Sequence, residues 1–478
     1  MENNIRFRNH ISVIFEKVIK TAGIAIFVFA TNFVRDLEEA PSLKDVLIFA
    51  GVAIACIVIV FAWQCLIWSK TYISIQDNAL VLEKNTINRK KNTIGLSNIS
   101  NVNLEQNLFE MALGTCKLKL DTNTLTTADQ TDVNIVLKKQ EAEQFRMYLL
   151  AQCGTESKTE VVKAEEKTCM AASKEIFMHG VFSINIGTIL ILLGVMGSVI
   201  PIVNGMREAE ETSKFEFAVS ILVLVWFIGG MLWKILREFL RYLEFSIERH
   251  GDKVYLSYGI IKRVNYFIPI DKINAVRLNQ TMLARLGKRY MVEVVNVGMG
   301  NDEEEQHSFF LPYSKKEKIT EQLRILLPEF DIDLEKEEEK QSKGVFAVWT
   351  ANGIMWLAIL LPVIAIAAEI MDTGIGMVIA VTIVLLIYLF VLRATSFVTN
   401  SVTVGENLLQ ISQGHFARYR LFVKYDKIQY LSMKQCIVAK KYGIEKGEIY
   451  LLASAKNKVH NLPYMKKETI EKLVEKLK

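Results

Sequence analysis

Cysteine is scarce in this chain and is nowhere arranged as a metal or disulfide framework. The 478 residues include six cysteines, two of them in an apolar run and none in a Cys-x-x-Cys pair. Zinc ribbons and disulfide-rich folds both need closely spaced cysteines. We expect all six to be packing residues in a reducing compartment: Cys56, Cys65, Cys116, Cys153, Cys169 and Cys436.

Catalytic motifs are absent as well. The six histidines are scattered, and there is no His-Glu-x-x-His, Gly-x-Ser-x-Gly, phosphate-binding Gly-x-x-x-x-Gly-Lys or dinucleotide-binding Gly-x-Gly-x-x-Gly pattern. Acidic runs at Asp302–Glu305 and Glu335–Glu339 are expected to be a loop tip and a solvated linker rather than metal sites. These absences predict a protein that is not an enzyme and has no metal ion or cofactor.

A nucleic-acid-binding surface is not indicated. The net charge is only +5, and the basic patches are short and are not interleaved with aromatic residues. Nucleic-acid-binding domains usually carry a basic stripe along one face. We therefore expect no nucleic-acid partner, and no small-molecule substrate is identifiable.

Long apolar runs, in contrast, are abundant. Hydrophobic residues make up 51% of the chain and charged residues 23%, as expected when membrane spans alternate with charged domains. About 20 apolar residues suffice to cross the hydrocarbon core of a bilayer. We predict six spans in three hairpins: Val18–Val34, Val46–Trp68, Gly180–Val203, Phe217–Met231, Val345–Ala368 and Ile375–Leu392.

Ionisable side chains are nearly absent from the central parts of these runs. An unpaired charge there costs roughly 2.5–3.5 kcal/mol, so intramembrane charges usually mark transport pathways. The polar exceptions, Gln64, Asn185 and Asn352, are expected to pack helices together. The runs therefore indicate anchors, and a transporter is the least favoured function.

Lysine and arginine are concentrated on one side of the predicted hairpins. The loops Thr31–Asp45, Asn204–Lys214 and Glu369–Gly374 contain few or none, whereas the segments that follow each hairpin are rich in them. Basic residues favour the cytoplasmic side. We predict that the termini and the soluble segments are cytoplasmic. No small-residue cleavage site follows the first run, so it is expected to be an anchor.

The chain repeats itself three times. Leu311-Pro312-Tyr313-Ser314-Lys315-Lys316-Glu317 recurs as Leu462-Pro463-Tyr464-Met465-Lys466-Lys467-Glu468, and each match is followed by Ile and Leu at similar spacing. A repeat of this kind indicates that the architecture is built from copies of one structural unit. Each copy is predicted to be one apolar hairpin followed by one soluble segment.

Within each soluble segment, the hydrophobic pattern changes from long runs to alternation, which predicts β-strands. A shared element follows: Leu96–Ile99, Ile270–Ile273 and Tyr425–Ile428. A glycine comes within fifteen residues of it in each copy, where it is expected to allow a positive φ before the next strand: Gly114, Gly287 and Gly443. Each segment then closes on an amphipathic helix, predicted at Lys139–Ala151, Tyr313–Leu327 and Lys466–Lys478.

The repeated unit consists of a hairpin, a set of strands, an Asp-Lys-Ile turn, a strand that follows a glycine and a final helix. This order of elements resembles the bacterial pleckstrin-homology (PH) domain membrane proteins of the YdbS/YdbT type, and the three copies resemble the YdbT-like members. The resemblance covers nearly the whole chain. It implies a PH-like fold for each segment, with two nearly orthogonal antiparallel sheets and a C-terminal helix. The first copy departs most, because it lacks Leu-Pro-Tyr and has a polar insertion at Thr122–Asp132.

The predicted fold class is thus a multi-pass α-helical protein of the bacterial cell membrane with three cytoplasmic α+β PH-like domains. We predict hairpins at 1–69, 177–242 and 344–395, PH-like domains at 70–153, 243–330 and 396–478, a polar linker at 154–176 and a charged linker at 331–343.

Basic clusters are the remaining candidates for function. Residues 397–478 contain 13 Lys and 2 Arg against 6 Glu and 1 Asp, a net charge of +8, and basic residues near an anionic leaflet contribute about 1 kcal/mol each. Basic residues also recur around the glycine of the second and third copies. The candidate membrane or partner contacts are Arg285, Lys288, Arg289, Lys440, Lys441, Arg89, Lys90 and Lys91.

Two functions remain open. The first is a membrane-apposed scaffold, whose PH-like domains bind protein partners or one another; the resemblance implies a role in cell-envelope protection or stress response. The second is the binding, sensing or handling of anionic lipid at the cytoplasmic leaflet, which the basic third copy favours.

Overall fold

The structure is a computed structural model, which describes residues 6–35, 43–122, 133–152, 167–185, 187–191, 193–194, 197, 211–296, 309–335, 338–370, 375–453 and 457–478. Two compact units are present. The first comprises Met1–Lys163 with Ile261–Phe267, and the second comprises Ala164–Ile260 with Ile268–Lys478.

The first unit consists of two long helices, two antiparallel sheets and a closing helix. Its elements are β1 (Arg6–Phe7), α1 (Ser12–Arg35), α2 (Leu43–Ser69), β2 (Thr71–Gln76), β3 (Ala79–Asn85), β4 (Arg89–Gly95), β5 (Ile99–Asn107), α3 (Leu108–Ala112), β6 (Thr115–Thr122), β7 (Val133–Lys138) and α4 (Lys139–Gln152). One sheet has the order β1–β2–β3–β4 and the other contains β7–β6–β5. Residues 262–265 pair with the free side of β5.

The alternation in the sequence determines which strand faces are buried. Ile73, Leu80, Leu118 and Ile135 point into one apolar core, and Leu149 of α4 closes it. Asp77 and Asn78 have φ of +48° and +59° in the tight turn between β2 and β3, the backbone that a two-residue hairpin requires. The predicted strands and closing helix of the first copy are therefore present.

The second unit holds the remaining elements, apart from the start of β11. Those of the second copy are β8 (Lys167–Met170), α5 (Ser173–Phe182), α6 (Glu211–Tyr242), β9 (Ser246–His250), β10 (Lys253–Tyr258), β11 (Lys262–Pro269), β12 (Ile273–Gln280), α7 (Met282–Leu286), β13 (Arg289–Asn296), β14 (Phe309–Lys315) and α8 (Lys316–Leu326). Strand β8 lies within the predicted polar linker and pairs with β9.

Apart from β8, the third copy has the same order of elements. They are α9 (Val345–Ile370), α10 (Ile375–Thr399), β15 (Ser401–Val404), β16 (Leu408–Gly414), β17 (Arg418–Lys424), β18 (Ile428–Lys434), α11 (Ile437–Lys441), β19 (Ile444–Leu451), β20 (Val459–Lys466) and α12 (Lys467–Lys476). The first strand of the predicted domain 396–478 starts only at Ser401, because α10 continues to Thr399.

One sheet of the second unit runs through two copies, in the order β14–β13–β12–β17–β16–β15. Strands β12 and β17 pair antiparallel, from Ala275 opposite Val423 to Gln280 opposite Arg418. Ala275 also lies in the apolar cluster that contains Leu473 of α12. The second and third PH-like domains therefore share both a sheet and a core.

The prediction of six spans is not supported. Within the described ranges, three helical segments are long and apolar enough to cross a membrane: Gly51–Ser69, Val345–Ile366 and Val378–Thr399. The predicted spans Val18–Val34, Gly180–Val203 and Phe217–Met231 fall partly outside the residues, or the side chains, that the structure describes. So do the loop tip Asp302–Glu305 and the polar insertion, apart from Thr122.

The expectation of a positive φ before the strand that follows each short helix holds, but not always at the glycine. Gly114 and Gly443 have φ of +64° and +59°. In the second copy Gly287 has φ of −78°, and the left-handed residue is Lys288, at +50°. Counted from the three-residue 3₁₀ turn of each copy, Gly114, Lys288 and Gly443 are equivalent, so the turn has a fixed place and glycine is not obligatory there.

Candidate membrane-proximal site

A five-residue helix leads from one sheet strand to the next in each copy: α3, α7 and α11. Each starts after a small residue whose side chain accepts a hydrogen bond from the third backbone N–H beyond it. Asn107 Oδ1 accepts from Glu110 at 2.8 Å, Thr281 Oγ1 from Ala284 at 3.2 Å, and Cys436 Sγ from Ala439 at 3.4 Å.

In the third copy this helix packs against the start of a candidate span. Ala439 of α11 is fully buried in a cluster with Val345 and Val348 of α9. The approach is close enough that a Cβ on Gly344 would lie 2.8 Å from Cβ of Tyr442. Because Val345 begins the apolar segment Val345–Ile366, α11 lies beside the end of a helix that is long and apolar enough to cross a membrane.

The exposed side chains in and just after α11 are both apolar and basic. Ile437 is 90% exposed and Tyr442 is 50% exposed, and Lys440 and Lys441 are exposed too. Apolar side chains flanked by lysines are typical of segments that lie at the lipid headgroups. We name these four residues, Ile437, Lys440, Lys441 and Tyr442, the interfacial turn.

The basic residues of the second copy make contacts within the protein. Arg285 Nη1 donates to Thr399 Oγ1 at 3.3 Å and to the carbonyl oxygen of His415 at 3.1 Å. The guanidinium of Arg289 lies 5.2 Å from the ring centre of Phe182. Lys288 is exposed. The two arginines of the second copy are therefore held by contacts within the protein, whereas the two lysines of the third-copy turn are exposed.

The basic cluster of the first copy lies on β4. Arg89, Lys90 and Lys91 are exposed; Arg89 Nε donates to Asn85 Oδ1 at 2.9 Å, and Lys91 Nζ lies 3.5 Å from Glu83 Oε1. These three residues belong to the first unit, whereas the other five candidates belong to the second.

Sequence reasoning did not identify β4 and β18 as edge strands. In the described part of the chain, β4 has β3 as its only strand neighbour, and β18 has only β19. Unpaired edges expose rows of backbone N–H and C=O groups that can pair with another strand. No local sequence signal marks them, because strand pairing is non-local.

A buried polar network lies where the second and third copies meet. Arg277 on β12 donates from Nη2 to Asn457 Oδ1 at 2.9 Å, and its Nη1 lies 3.5 Å from Glu293 Oε2. Nε2 of the buried His460 lies 2.9 Å from the carbonyl oxygen of Asn457. Burial and the nearby Arg277 charge lower the pKa of His460 to about 4. The network thus contains a histidine that the fold keeps neutral.

The linker expected to be solvated is instead held by the third domain. Glu338 forms ion pairs with Arg418 and with Arg420 Nε (2.9 Å), and it accepts a hydrogen bond from Ser401 Oγ at 2.5 Å. Glu339 Oε1 accepts from Thr469 Oγ1 at 2.8 Å. For this part of the acidic run the prediction was wrong, since Glu338 neutralises two arginines of β17 that are largely buried.

The described residues contain no group of three His, Cys, Asp or Glu side chains placed to hold a metal ion.

Comparison with known proteins supports the family resemblance. The model of the family described as bacterial PH domain matches residues 25–152, 186–327 and 355–478. The chain is 22% identical over 293 residues to the UPF0699 transmembrane protein YdbT of Bacillus subtilis (strain 168), a match that covers 56% of this chain and 58% of that protein. The chain thus spans well under two thirds of that relative. No solved structure matches the chain.

Proposed function

The chain belongs to the bacterial PH domain family, and from that premise we propose that it is a membrane-anchored, non-enzymatic scaffold whose PH-like domains bind a protein partner beneath the cytoplasmic leaflet. The apolar helices fix it in the membrane as a multi-pass protein. The basic residues that follow each apolar pair support a cytoplasmic position for the domains. Cell-envelope protection is the role that the family resemblance implies.

The observation that carries this proposal is the way the domains use their sheet edges. Strand β12 of the second domain extends the sheet of the third domain through β17, with six residue pairs in continuous register. Strand addition of this kind is a general mode of protein recognition, in which backbone hydrogen bonds provide affinity and side chains provide specificity. Among the described strands, an edge of the same type is left open at β18.

Affinity capture of the full chain from native membranes in mild detergent tests the scaffold. We expect a protein to be retained by the wild-type chain and lost from a Leu431→Pro variant, because proline on an edge strand removes a backbone donor and obstructs pairing. A Lys458→Pro variant, next to β20 and away from β18, serves as control. If wild type and Leu431→Pro retain the same proteins, β18 is not the docking edge, and if wild type retains neither another protein nor a second copy of the chain, the scaffold proposal fails.

A second candidate function, contact with anionic lipid, is favoured by the interfacial turn. Its exposed apolar and basic side chains lie beside the start of the Val345–Ile366 span. Each basic residue near an anionic surface contributes about 1 kcal/mol, so two lysines suffice to bias lipid composition locally.

This second function is tested by lipid analysis of the full chain purified in mild detergent. We expect Lys440→Gln together with Lys441→Gln to lower the fraction of anionic lipid that co-purifies. The matched control is Lys466→Gln with Lys467→Gln, a lysine pair at the start of α12. An unchanged lipid fraction in the first variant, or an equal loss in both variants, would rule out a specific contact at the turn.

A further inference from the structure

The pairing between copies recurs in the same register. The residue ten positions after the start of the 3₁₀ turn pairs with the residue seven positions before the corresponding turn of the next copy. Gln106 therefore lies opposite Arg263, and Gln280 lies opposite Arg418. The two pairs use the strand after the turn of one copy and the strand before the turn of the next.

The rule leaves one strand unmatched at each end of the series. In the first copy the strand before the turn is β4, and in the third copy the strand after the turn is β18; both are edge strands in the part of the chain that the structure describes. Arg89 stands at the position of Arg263 and Arg418, and Gln435 stands at the position of Gln106 and Gln280.

The recurrence of glutamine has its own explanation. Gln106, Gln280 and Gln435 each donate from Nε2 to a backbone carbonyl of their own domain, those of Thr115, Arg289 and Ile444, at 2.7, 3.0 and 3.1 Å. The case for pairing therefore rests on the shared register and on burial rather than on this residue.

Burial separates matched strands from unmatched ones. Five positions after the start of the turn, Ala275 of the paired β12 is fully buried, whereas Tyr430 of β18 is 61% exposed. Val423 of β17 is also fully buried, while its equivalent on β4, Ile94, is only half-buried. An exposed tyrosine on an open edge is a docking feature, since an aromatic side chain opposite a β-branched one stabilises a strand pair by roughly 0.2–1 kcal/mol.

From this register we propose that β18 of one chain pairs antiparallel with β4 of a second copy, which is thus the protein partner of the scaffold. This inference rests on the proposed function and names the protein that would occupy the β18 edge. The transferred register places Tyr430 opposite Ile94, Leu431 opposite Thr93, and Lys434 opposite Lys90. The six residue pairs would repeat, between two chains, the arrangement that β12 and β17 form within one chain.

The charges on the two strands moderate this pairing. Lys434 and Lys90 would face each other, and like charges directly opposite destabilise a strand pair. Glu448 of β19 offsets the charge of Lys434, because its Oε1 lies 2.8 Å from Lys434 Nζ. On β4, Glu83 of the adjacent strand lies 3.5 Å from Lys91, the residue next to Lys90. We therefore expect a reversible association that Lys90→Glu strengthens several-fold.

Disulfide trapping tests the register directly. Membranes are prepared from cells that co-express two differently tagged full-length chains, one with Thr93→Cys and the other with Leu431→Cys. On mild oxidation we expect a disulfide-linked species that contains both tags. Residues directly opposite on an antiparallel pair have Cβ atoms about 4.5–5.5 Å apart, within reach of a disulfide after slight adjustment.

The matched control moves one cysteine by a single residue. Asn92→Cys with Leu431→Cys places the two side chains on opposite faces of the sheet, so we expect little cross-linking. Chains with one added cysteine measure the background from the native thiols. Equal yields for the two pairs would overturn the register, and no yield above background would overturn self-association.

The same samples separate this inference from the function on which it rests. If no cross-link forms but affinity capture still retains a different protein through β18, the scaffold survives and the second copy is wrong as its occupant. If capture retains nothing and no cross-link forms, both proposals fail. A cross-link that Lys90→Glu increases supports both.

Discussion

Lys288 occupies in the second copy the left-handed backbone position that Gly443 occupies in the third, with φ of +50° against +59°. The two residues stand at the same distance from the 3₁₀ turn of their domains and precede equivalent strands, β13 and β19. Only the glycine adopts this conformation without steric cost.

We therefore predict opposite effects for exchanges at the two positions. Gly443→Ala should lower the free energy of unfolding by about 1–2 kcal/mol, because a Cβ at this φ is strained although nothing lies within 4 Å of it. Lys288→Gly should be neutral or should raise it by up to about 1 kcal/mol. Thermal unfolding of the detergent-solubilised chain measures both. A destabilised Lys288→Gly would mean that the lysine side chain contributes more than the strain costs.

This comparison also indicates what the sequence could predict. Alternation and the repeat indicated the strands, the shared turn and the closing helices, because these depend on local patterns and on one-sided burial. In the second and third copies the closing helix starts at Lys316 and at Lys467. The proline of each Leu-Pro-Tyr motif lies in the strand that precedes this helix. The presence of a glycine, in contrast, placed the positive φ of the second copy at the wrong residue, Gly287.

The candidate site was predictable only in part. The lysines of the interfacial turn were visible as a charge pattern, but their position beside Val345 depends on packing between segments about 90 residues apart. The pairing of β12 with β17 joins residues more than 130 positions apart, and no periodicity within either strand identifies its neighbour. The same limit hid Glu338, whose charge resembles that of a solvated linker until β17 supplies two arginines.

Removing the charge of Glu338 should loosen the linker. Glu338→Gln should lower the free energy of unfolding by about 2–3 kcal/mol, because Arg418 and Arg420 would be left largely buried without a counter-charge. Limited proteolysis between the second and third domains should accelerate. Glu335→Gln is the control, since Glu335 is 84% exposed and its contact with Lys316 is a surface ion pair worth about 0–1 kcal/mol. Equal effects of the two changes would contradict the clamp.

Acid should destabilise the third domain through His460. Its pKa is lowered to about 4 by burial and by Arg277, while an unfolded chain has the ordinary value near 6.5. The unfolded state therefore binds more protons below pH 6.5, and stability falls as the pH is lowered toward 4. Between pH 7 and pH 5 this one residue should contribute a loss of about 2 kcal/mol.

His460→Gln isolates that contribution, because the amide can still donate to the carbonyl of Asn457 but does not titrate. The variant should lose about 2 kcal/mol less than the wild type over the same pH interval, as measured by urea unfolding of the detergent-solubilised chain at each pH. A His415→Gln variant, at an exposed position, should follow the wild-type pH dependence. Parallel pH curves for wild type and His460→Gln would show that this histidine is not the acid-sensitive group.

The contact between α11 and the start of α9 should depend on the absence of a side chain at residue 344. In Gly344→Ala, the new Cβ would lie 2.8 Å from Cβ of Tyr442, so the short helix must move away from Val345. Overpacking of this kind costs about 1–3 kcal/mol, which should appear as a lower midpoint of thermal unfolding. Gly353→Ala is the matched control within α9: its Cβ would meet nothing within 4 Å, and alanine favours the helix.

If Gly344→Ala also reduces the anionic lipid that co-purifies while Gly353→Ala does not, the position of α11, and not only its lysines, determines lipid contact. An equal response of both variants would show that the close approach of Tyr442 to α9 has no such role.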